Sequence, residues 1–137
     1  MTDAQFAPYK PEDKAQYTLE RFSWNALTRM LFENINAKIV NLSPEIRCEC
    51  TKHYVAYKYD TNFADIVIQK DGLKIVVNMN FNSVDDPKNI CRDITGVGSL
   101  GNGNVELFFH SLSQIDDIMY IVRQSFEAQS EAQSFLL

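Results

Sequence analysis

The side chains best suited to bind a partner are five basic and aromatic residues spread over two predicted hairpins. They are Lys52, Tyr54, Lys58, Lys70 and Lys74. Aromatic rings stack on bases and ammonium groups contact phosphates, so a sheet face with both suits a nucleic-acid partner. Residues 44–80 hold five basic and five acidic side chains, so the region is neutral. A solvated sheet face with lysines extended along it is the simpler alternative.

A second constellation suggests metal-dependent nuclease chemistry. Asp65 and Lys70, with Arg92 and Asp93 further along the chain, could supply a carboxylate and cations. Nucleases of this kind place a second carboxylate two residues before the lysine, and Ile68 stands there instead. Magnesium needs several converging oxygen ligands, so a nuclease is kept only as an alternative and more weight falls on a chain that is not an enzyme.

Two further patterns point away from cofactors. The run from Gly96 to Gly101 matches the spacing of a dinucleotide fingerprint, but no predicted helix follows it to receive a pyrophosphate. Cys48 and Cys50 are two residues apart on a predicted strand, a spacing typical of buried thiols rather than zinc knuckles. His110 is expected to be a surface residue at a strand end. We therefore expect no metal and no cofactor.

Composition sets the broad class of protein. The 137 residues carry a net charge of −5, with 45% hydrophobic and 23% charged residues, which predicts one folded domain and argues against binding by bulk positive charge. No run of 18 apolar residues and no secretory signal is visible, and three cysteines do not form a disulfide framework. A cytoplasmic protein without a membrane partner is the expectation.

The elements that must position these residues follow from hydrophobic periodicity. A first helix of about five turns is predicted after Ser23 as its N-cap, with an apolar stripe formed by Trp24, Leu27, Leu31, Ile35, Ile39 and Leu42. A second helix is predicted to start at Ser113 and Asp116, with a buried stripe formed by Ile115, Ile118, Met119, Val122 and Phe126. The tail, 130–137, either extends this helix or frays.

Five strands are predicted between the helices, over residues 46–50, 54–59, 63–70, 73–81 and 105–109. Asp71-Gly72 predicts a type I′ hairpin turn, which needs positive φ at both residues. Pro87 to Cys91 is a candidate short helix. The order predicts an α+β fold, a two-layer sandwich of helix, five mostly antiparallel strands and helix, with an arm at 1–17 and one domain over 18–129.

Several short pieces together resemble an uncharacterised bacterial and archaeal domain family whose members are often labelled predicted transport proteins. The pieces are YVAYK at 54–58, NFADI at 62–66, DDP at 85–87, RD at 92–93 and GNG at 101–103, within a match over about residues 17–129. The resemblance implies a small α/β domain, commonly C-terminal in restriction-type or other DNA-defence proteins. It implies no catalytic assignment.

The positions that match the family are candidates for partner binding. They are Lys52, Tyr54, Tyr57, Lys58, Phe63, Asp65, Gln69, Lys70, Asp86, Arg92, Asp93, Gly101, Asn102 and Gly103. Family members often carry an aromatic residue shortly before Gly101, where this chain has Ser99-Leu100. With Lys74 from the sheet face, the set Lys52, Tyr54, Lys58, Asp65, Lys70, Lys74, Arg92, Asp93 and Asn102 is the predicted contact surface.

The leading hypothesis is a non-enzymatic binding or assembly module that serves a nucleic-acid-directed defence system, with nucleic acid or a defence protein as its partner. The alternative is protein–protein or self-association, as a homodimer, through an edge strand or the apolar end Phe135-Leu136-Leu137. An acidic chain is no obstacle to the second hypothesis.

Overall fold

The computed structural model describes residues 17–97 and 103–136, with side chains through residue 131. Of the predicted arm at 1–17, the structure describes only Tyr17. The glycine-rich segment 98–102 and Leu137 also lie outside the described residues. Helix α1 is Ala26–Val40 and helix α2 is Ile115–Leu136. The strands are β1 Arg47–Cys50, β2 Val55–Lys58, β3 Asn62–Ile68, β4 Leu73–Val77, β5 Arg92–Asp93 and β6 Val105–Phe109.

The strands of the described residues form one antiparallel sheet in the order β1-β2-β3-β4-β6-β5. This confirms the predicted α+β fold with a helix at each end. Five strands were predicted and a sixth is present, since two residues at 92–93 pair with β6. Strand β4 ends at Val77 rather than continuing to Phe81, because residues 81–83 form a 3-10 turn.

The core lies between one face of the sheet and the two helices. Paired positions of neighbouring strands, such as Val55, Ile66 and Ile75, supply the sheet side. Leu31, Ile35 and Ile39 of α1 are fully buried against it. The side chains of α2 that share this core are Ile118, Met119, Ile121, Val122 and Phe126, four of which belong to the predicted stripe. The two-layer arrangement is thus set by apolar stripes that have only one sheet face to cover.

The start of α1 differs from the prediction. Asn25, not Ser23, is the N-cap: its side-chain oxygen accepts from the backbone N–H of Thr28 at 2.8 Å. The helix has 15 residues, about four turns rather than five. Leu27 is exposed, while Phe32 and Thr28 are buried. Trp24 and Leu42 lie outside the bounds of the helix, although both pack against the core.

The start of α2 is also displaced from the predicted position. Ser111 caps a 3-10 turn at Leu112–Gln114, and Gln114 Oε1 in return accepts from the Ser111 N–H at 3.1 Å. Ser113 and Asp116 do not form the predicted cap. The reciprocal capping box needs a Glu or Gln as its third helical residue, and Gln114 supplies it. The tail residues through Leu136 continue α2.

The β3–β4 hairpin is present, but its turn is not of the predicted type. Ile68 pairs with Leu73, and the Gln69 N–H donates to the Gly72 carbonyl at 3.0 Å. The two central residues are therefore Lys70 and Asp71. Among described non-glycine residues only Asn89 has positive φ, and Gly72 does not have it either. The glycine is needed for a different reason, its close contact with β6.

The predicted helix from Pro87 to Cys91 is absent. The segment is a tight turn in which Asn89 adopts φ 54°. The Asp86 carboxylate accepts from the N–H groups of Ile90 and Cys91 at 3.0 and 2.9 Å. Partial burial raises the pKa of Asp86, but these backbone hydrogen bonds outweigh it and lower the pKa overall. An acid that binds the amides locally competes with helix formation.

Candidate functional site

The sheet face opposite the helices carries four of the nine residues predicted to bind a partner, Lys58, Asp65, Lys74 and Arg92. We call it the distal face and define it by the positions that alternate with the core residues. These are Arg47, Glu49, Ala56, Lys58, Asn62, Asp65, Val67, Lys74, Val76, Arg92, Glu106 and Phe108. Its centre is buried, because Ala56, Asp65 and Val76 are at most 1% exposed. Its margins are where charged and aromatic groups reach solvent.

A β-bulge shapes the centre of the distal face. Tyr57 pairs with Ala64 and the next residue, Lys58, pairs with Asn62, so Phe63 is an extra residue in β3. Phe63 turns into the core against Phe126, with ring centroids 5.5 Å apart. The bulge brings Asn62 to the same side as Asp65, and its Nδ2 donates to the Asp65 carboxylate at 2.7 Å. A bulge re-aims side chains in this way.

Three of the predicted cations on this face are paired with acids of the same chain. Lys58 Nζ lies 2.8 Å from Glu49. Lys74 Nζ and Arg92 Nη1 lie 3.8 and 3.2 Å from the two carboxylate oxygens of Glu106. Sequence reasoning had not singled out Glu106, although alternation along β6 places it beside these strands. The face is therefore of mixed charge rather than basic.

An aromatic pair forms the most exposed apolar part of the distal face. Phe108 stacks on His110 with centroids 5.5 Å apart and planes inclined by 26°, and Phe108 is 41% exposed. Phe108 lies directly opposite Lys74 in the β4–β6 register. Phe108 and His110 were not among the residues predicted to belong to the site. The signal was present, since inward-facing Val105, Leu107 and Phe109 leave Phe108 on the other side.

Gly72 makes room for this aromatic pair. A Cβ at Gly72 would lie 2.6 Å from the Phe109 carbonyl oxygen and 2.9 Å from the Phe108 ring. Both distances are shorter than van der Waals contact. A hairpin glycine beneath an aromatic ring of the neighbouring strand lets the ring lie flat against the sheet.

Two predicted cations lie in hairpin turns at the same end of the sheet as this pair. Lys70 is in the β3–β4 turn and Lys52 is in the β1–β2 turn. Within the described part of the chain, neither makes an ion pair. Tyr54 follows Lys52, and burial together with the Asp65 charge raises the pKa of its hydroxyl, which Lys58 partly counteracts. This end of the sheet combines aromatic rings with free ammonium groups.

One predicted site residue, Asp93, does not join the distal face. Asp93 follows Arg92 in β5, so strand alternation turns it to the opposite side. Its carboxylate accepts from the Thr95 N–H at 3.0 Å, and hydrogen bonds from Thr95 lower its pKa. Asp93 thus stabilises the turn after β5. Asn102 lies outside the described residues.

The cysteines differ from the buried thiols that were predicted. Cys48 is exposed and Cys50 and Cys91 are half-buried. Cys48 and Cys50 belong to β1, which is the edge strand of the described sheet. Desolvation, followed by the neighbouring Cys50 thiol, raises the pKa of Cys48 to about 11. In the described ranges, no three His, Cys, Asp or Glu side chains are placed to hold a metal ion.

Fold and site together define a small α+β domain with a helix-covered face and a mixed-charge, partly aromatic face. Residues 20–129 match the family model described as Domain of unknown function (DUF5655), and the chain belongs to this family. An uncharacterized protein of Haemophilus influenzae is 38% identical over 95 residues. That match covers 69% of this chain and 32% of the relative, so the chain spans about a third of the relative's length.

Comparison with solved structures and a search for membrane-spanning helices give no further information on function. No solved structure matches the chain. Among the described helices, none has the length and apolar content needed to cross a bilayer.

Proposed function

We propose that this domain is a non-enzymatic binding module whose distal face binds single-stranded nucleic acid, as an accessory part of a restriction-type defence system. The observation that carries the proposal is the exposed Phe108–His110 pair, which lies against the hairpin that carries Lys70. A flat ring next to a cation is the usual platform for an unpaired base and its phosphate. The defence setting is suggested by the proteins in which the resembling family commonly occurs.

The charge pattern supports a single strand over a duplex. Glu49 and Glu106 form ion pairs with Lys58, Lys74 and Arg92. At this end of the sheet, Lys52 and Lys70 are the lysines that make no ion pair with another described residue. A duplex presents phosphates but no accessible base faces, and gripping it needs many cations. A single strand gains from stacking, about 1–3 kcal/mol per base. Few charges and one aromatic platform therefore favour the single strand.

The first prediction concerns the platform. Replacing Phe108 by Ala removes the stacking surface, so the affinity for a fluorescein-labelled single-stranded oligonucleotide should fall about tenfold, within the energy range for one stacked base. Fluorescence anisotropy at about 50 mM salt measures it, where phosphate contacts are strong. Tyr120→Ala is the matched control, because Tyr120 is 45% exposed on α2, away from the distal face. Its affinity should equal that of the wild type.

Salt dependence separates a phosphate contact from adhesion to an apolar patch. Each phosphate contact to a single strand contributes about −0.7 to the slope of log affinity against log salt. Lys70→Ala should reduce the slope by about that amount, whereas Phe108→Ala should leave the slope unchanged. Absence of binding at about 50 mM salt, or equal loss in Phe108→Ala and Tyr120→Ala, would contradict the proposal.

The nuclease alternative gains no support from the geometry. Asp65, its central carboxylate, is completely buried and accepts a hydrogen bond from Asn62. A metal-bound water would need access to this oxygen and to two or three further ligands. A protein partner for the distal face is the other outcome of the binding assay, since mixed charge and an exposed ring also suit it.

A further inference from the structure

No described strand pairs with the outer side of β1. β1 is the first strand in the sheet order, and Arg47, Cys48 and Glu49 are all exposed. Exposed edge strands are templates for pairing with another chain. The opposite edge, β5, has only two residues, too few to form such a ladder.

The hairpin fixes which backbone groups of β1 face outward. The Thr51 N–H donates to the Tyr54 carbonyl at 2.8 Å, so Thr51 points its backbone groups toward β2. In an antiparallel ladder this direction alternates by residue. The backbone of Arg47 and Glu49 therefore faces β2, while the N–H and carbonyl of Cys48 and Cys50 face away from the sheet.

The charged side chains of β1 are only partly paired within one chain. Arg47 lies directly opposite Lys58 in the β1–β2 register, and like charges in such pairs are destabilising. Glu49 binds Lys58 at 2.8 Å. Within the described ranges no acid makes an ion pair with Arg47. An acidic side chain of another chain, placed opposite Arg47, would give Arg47 an ion-pair partner.

We propose that two copies of this chain associate through β1, antiparallel and in the register centred on Cys48. In this register Cys48 exchanges its outward N–H and carbonyl with Cys48 of the second copy. Arg47 of each copy then stands opposite Glu49 of the other, in the closely spaced, non-hydrogen-bonded kind of pair where side chains approach most. The interface is isologous and closes after two copies.

The neighbouring registers lack this complementarity. Centring on Glu49 places Glu49 opposite itself, and centring on Arg47 does the same with two arginines. A centre between Cys48 and Glu49 sets each charged residue opposite a cysteine. One register alone pairs both charges, so the sequence of β1 specifies a homodimer rather than open-ended strand addition.

Charge exchange tests the register. Sedimentation velocity from micromolar to near-millimolar concentration should show the wild type approaching twice the 15.7 kDa chain mass. Arg47→Glu alone sets Glu opposite Glu49, and Glu49→Arg alone sets Arg opposite Arg47, so each variant should sediment as a monomer. An equimolar mixture of the two restores both ion pairs and should form a heterodimer. Arg123→Glu, an exposed change on α2, is the matched control and should dimerise normally.

Several results would overturn the proposal. One is a wild type that stays monomeric at all concentrations. Others are single variants that dimerise as the wild type does, or a mixture that stays monomeric although circular dichroism shows both variants folded. The dimer proposal can be tested separately from the proposed function. A variant that fails to dimerise but binds the oligonucleotide as the wild type does would separate the two proposals.

Crosslinking gives a second measurement that does not alter the charges. In a Cys50→Ser/Cys91→Ser background, the register brings the two Cys48 residues to about 5.5 Å between Cα atoms, within disulfide range. Oxidation at about pH 9, chosen because the pKa of Cys48 is raised, should give a covalent dimer on a non-reducing gel. The same treatment of a Cys48→Ser/Cys91→Ser variant should give much less, since the Cys50 residues lie apart in this register. Equal yields in both variants would contradict it.

Discussion

Gly72 shows at the residue scale how one position is decided by its neighbours across the sheet. A hairpin glycine ordinarily indicates positive φ, but Gly72 has an ordinary backbone and is confined by Phe109 and Phe108 instead. The Phe109 contact is to a backbone oxygen, which cannot rotate away. The requirement is for space, and it comes from β6, more than thirty residues later in the chain.

Two substitutions at Gly72 distinguish space from backbone conformation. Gly72→Ala should lower the free energy of unfolding by about 1–3 kcal/mol through overpacking, measured by urea denaturation. Gly72→Asn should be at least as damaging, although Asn is well tolerated in a type I′ turn. Asp71→Ala, in the adjacent turn, is the control and should change stability by less than about 0.5 kcal/mol. A stable Gly72→Asn variant would favour the positive-φ interpretation.

The cysteines and Tyr57 should make the fold sensitive to alkali. Desolvation, followed by the charge of Asp86, raises the pKa of Cys91 to about 12, and the pKa of Cys48 is about 11. Burial raises the pKa of Tyr57 well above its usual value, and its hydroxyl donates to Asn36 at 2.7 Å. The unfolded chain releases these protons at lower pH than the folded chain does. Stability is therefore fully present below about pH 9 and is lost as pH rises further.

Thermal unfolding between pH 8 and 11 checks this expectation. In the wild type, Tm should begin to fall near pH 9, where thiols of the unfolded chain ionise. Replacing all three cysteines by serine should delay the fall to about pH 10, where the tyrosines of the unfolded chain follow. An identical onset in both proteins would show that the thiols do not hold their protons in the folded state.

At the scale of elements, the start of α1 joins the helix layer to the β3–β4 hairpin. Asn25 caps the helix with its side-chain oxygen, while its Nδ2 donates to the Lys70 carbonyl at 2.8 Å. One amide therefore satisfies a helix N-terminus and a hairpin carbonyl together. The same hairpin carries Lys70 and supports Phe108, so the helix cap helps to position the proposed binding end of the sheet.

Substitutions at Asn25 should separate these two roles. Asn25→Ala loses both and should cost about 1 kcal/mol or more of stability. Asn25→Asp keeps a capping oxygen but has no N–H donor for Lys70, so stability should fall less. Ser23→Ala should leave stability unchanged, because Ser23 is not the cap. Chemical denaturation of the three variants measures the differences, and a larger loss in Ser23→Ala than in Asn25→Ala would contradict the assignment.

At the scale of the whole molecule, the sheet has one face covered by the two helices and a distal face that is proposed to bind a partner. The helix-covered face holds the large buried side chains, and the distal face carries ion pairs and the Phe108–His110 pair. A homodimer through β1 would join two distal faces side by side, since antiparallel pairing keeps each side chain on its own face of the sheet. The oligonucleotide and dimer proposals use different residues and can fail separately.

The sequence by itself determined the helix–strand–helix order, the apolar stripes and the α+β class, because these depend on local periodicity and on burial of one face per element. It also indicated that Lys58, Lys74 and Arg92 are surface candidates. Only the tertiary structure decided which groups meet. Glu106 neutralises two cations because β6 inserts between β4 and β5. The Phe63 bulge turns Asn62 toward Asp65, and Gly72 lies under Phe108. Each of these pairs joins separate strands or depends on register, which local sequence patterns do not encode.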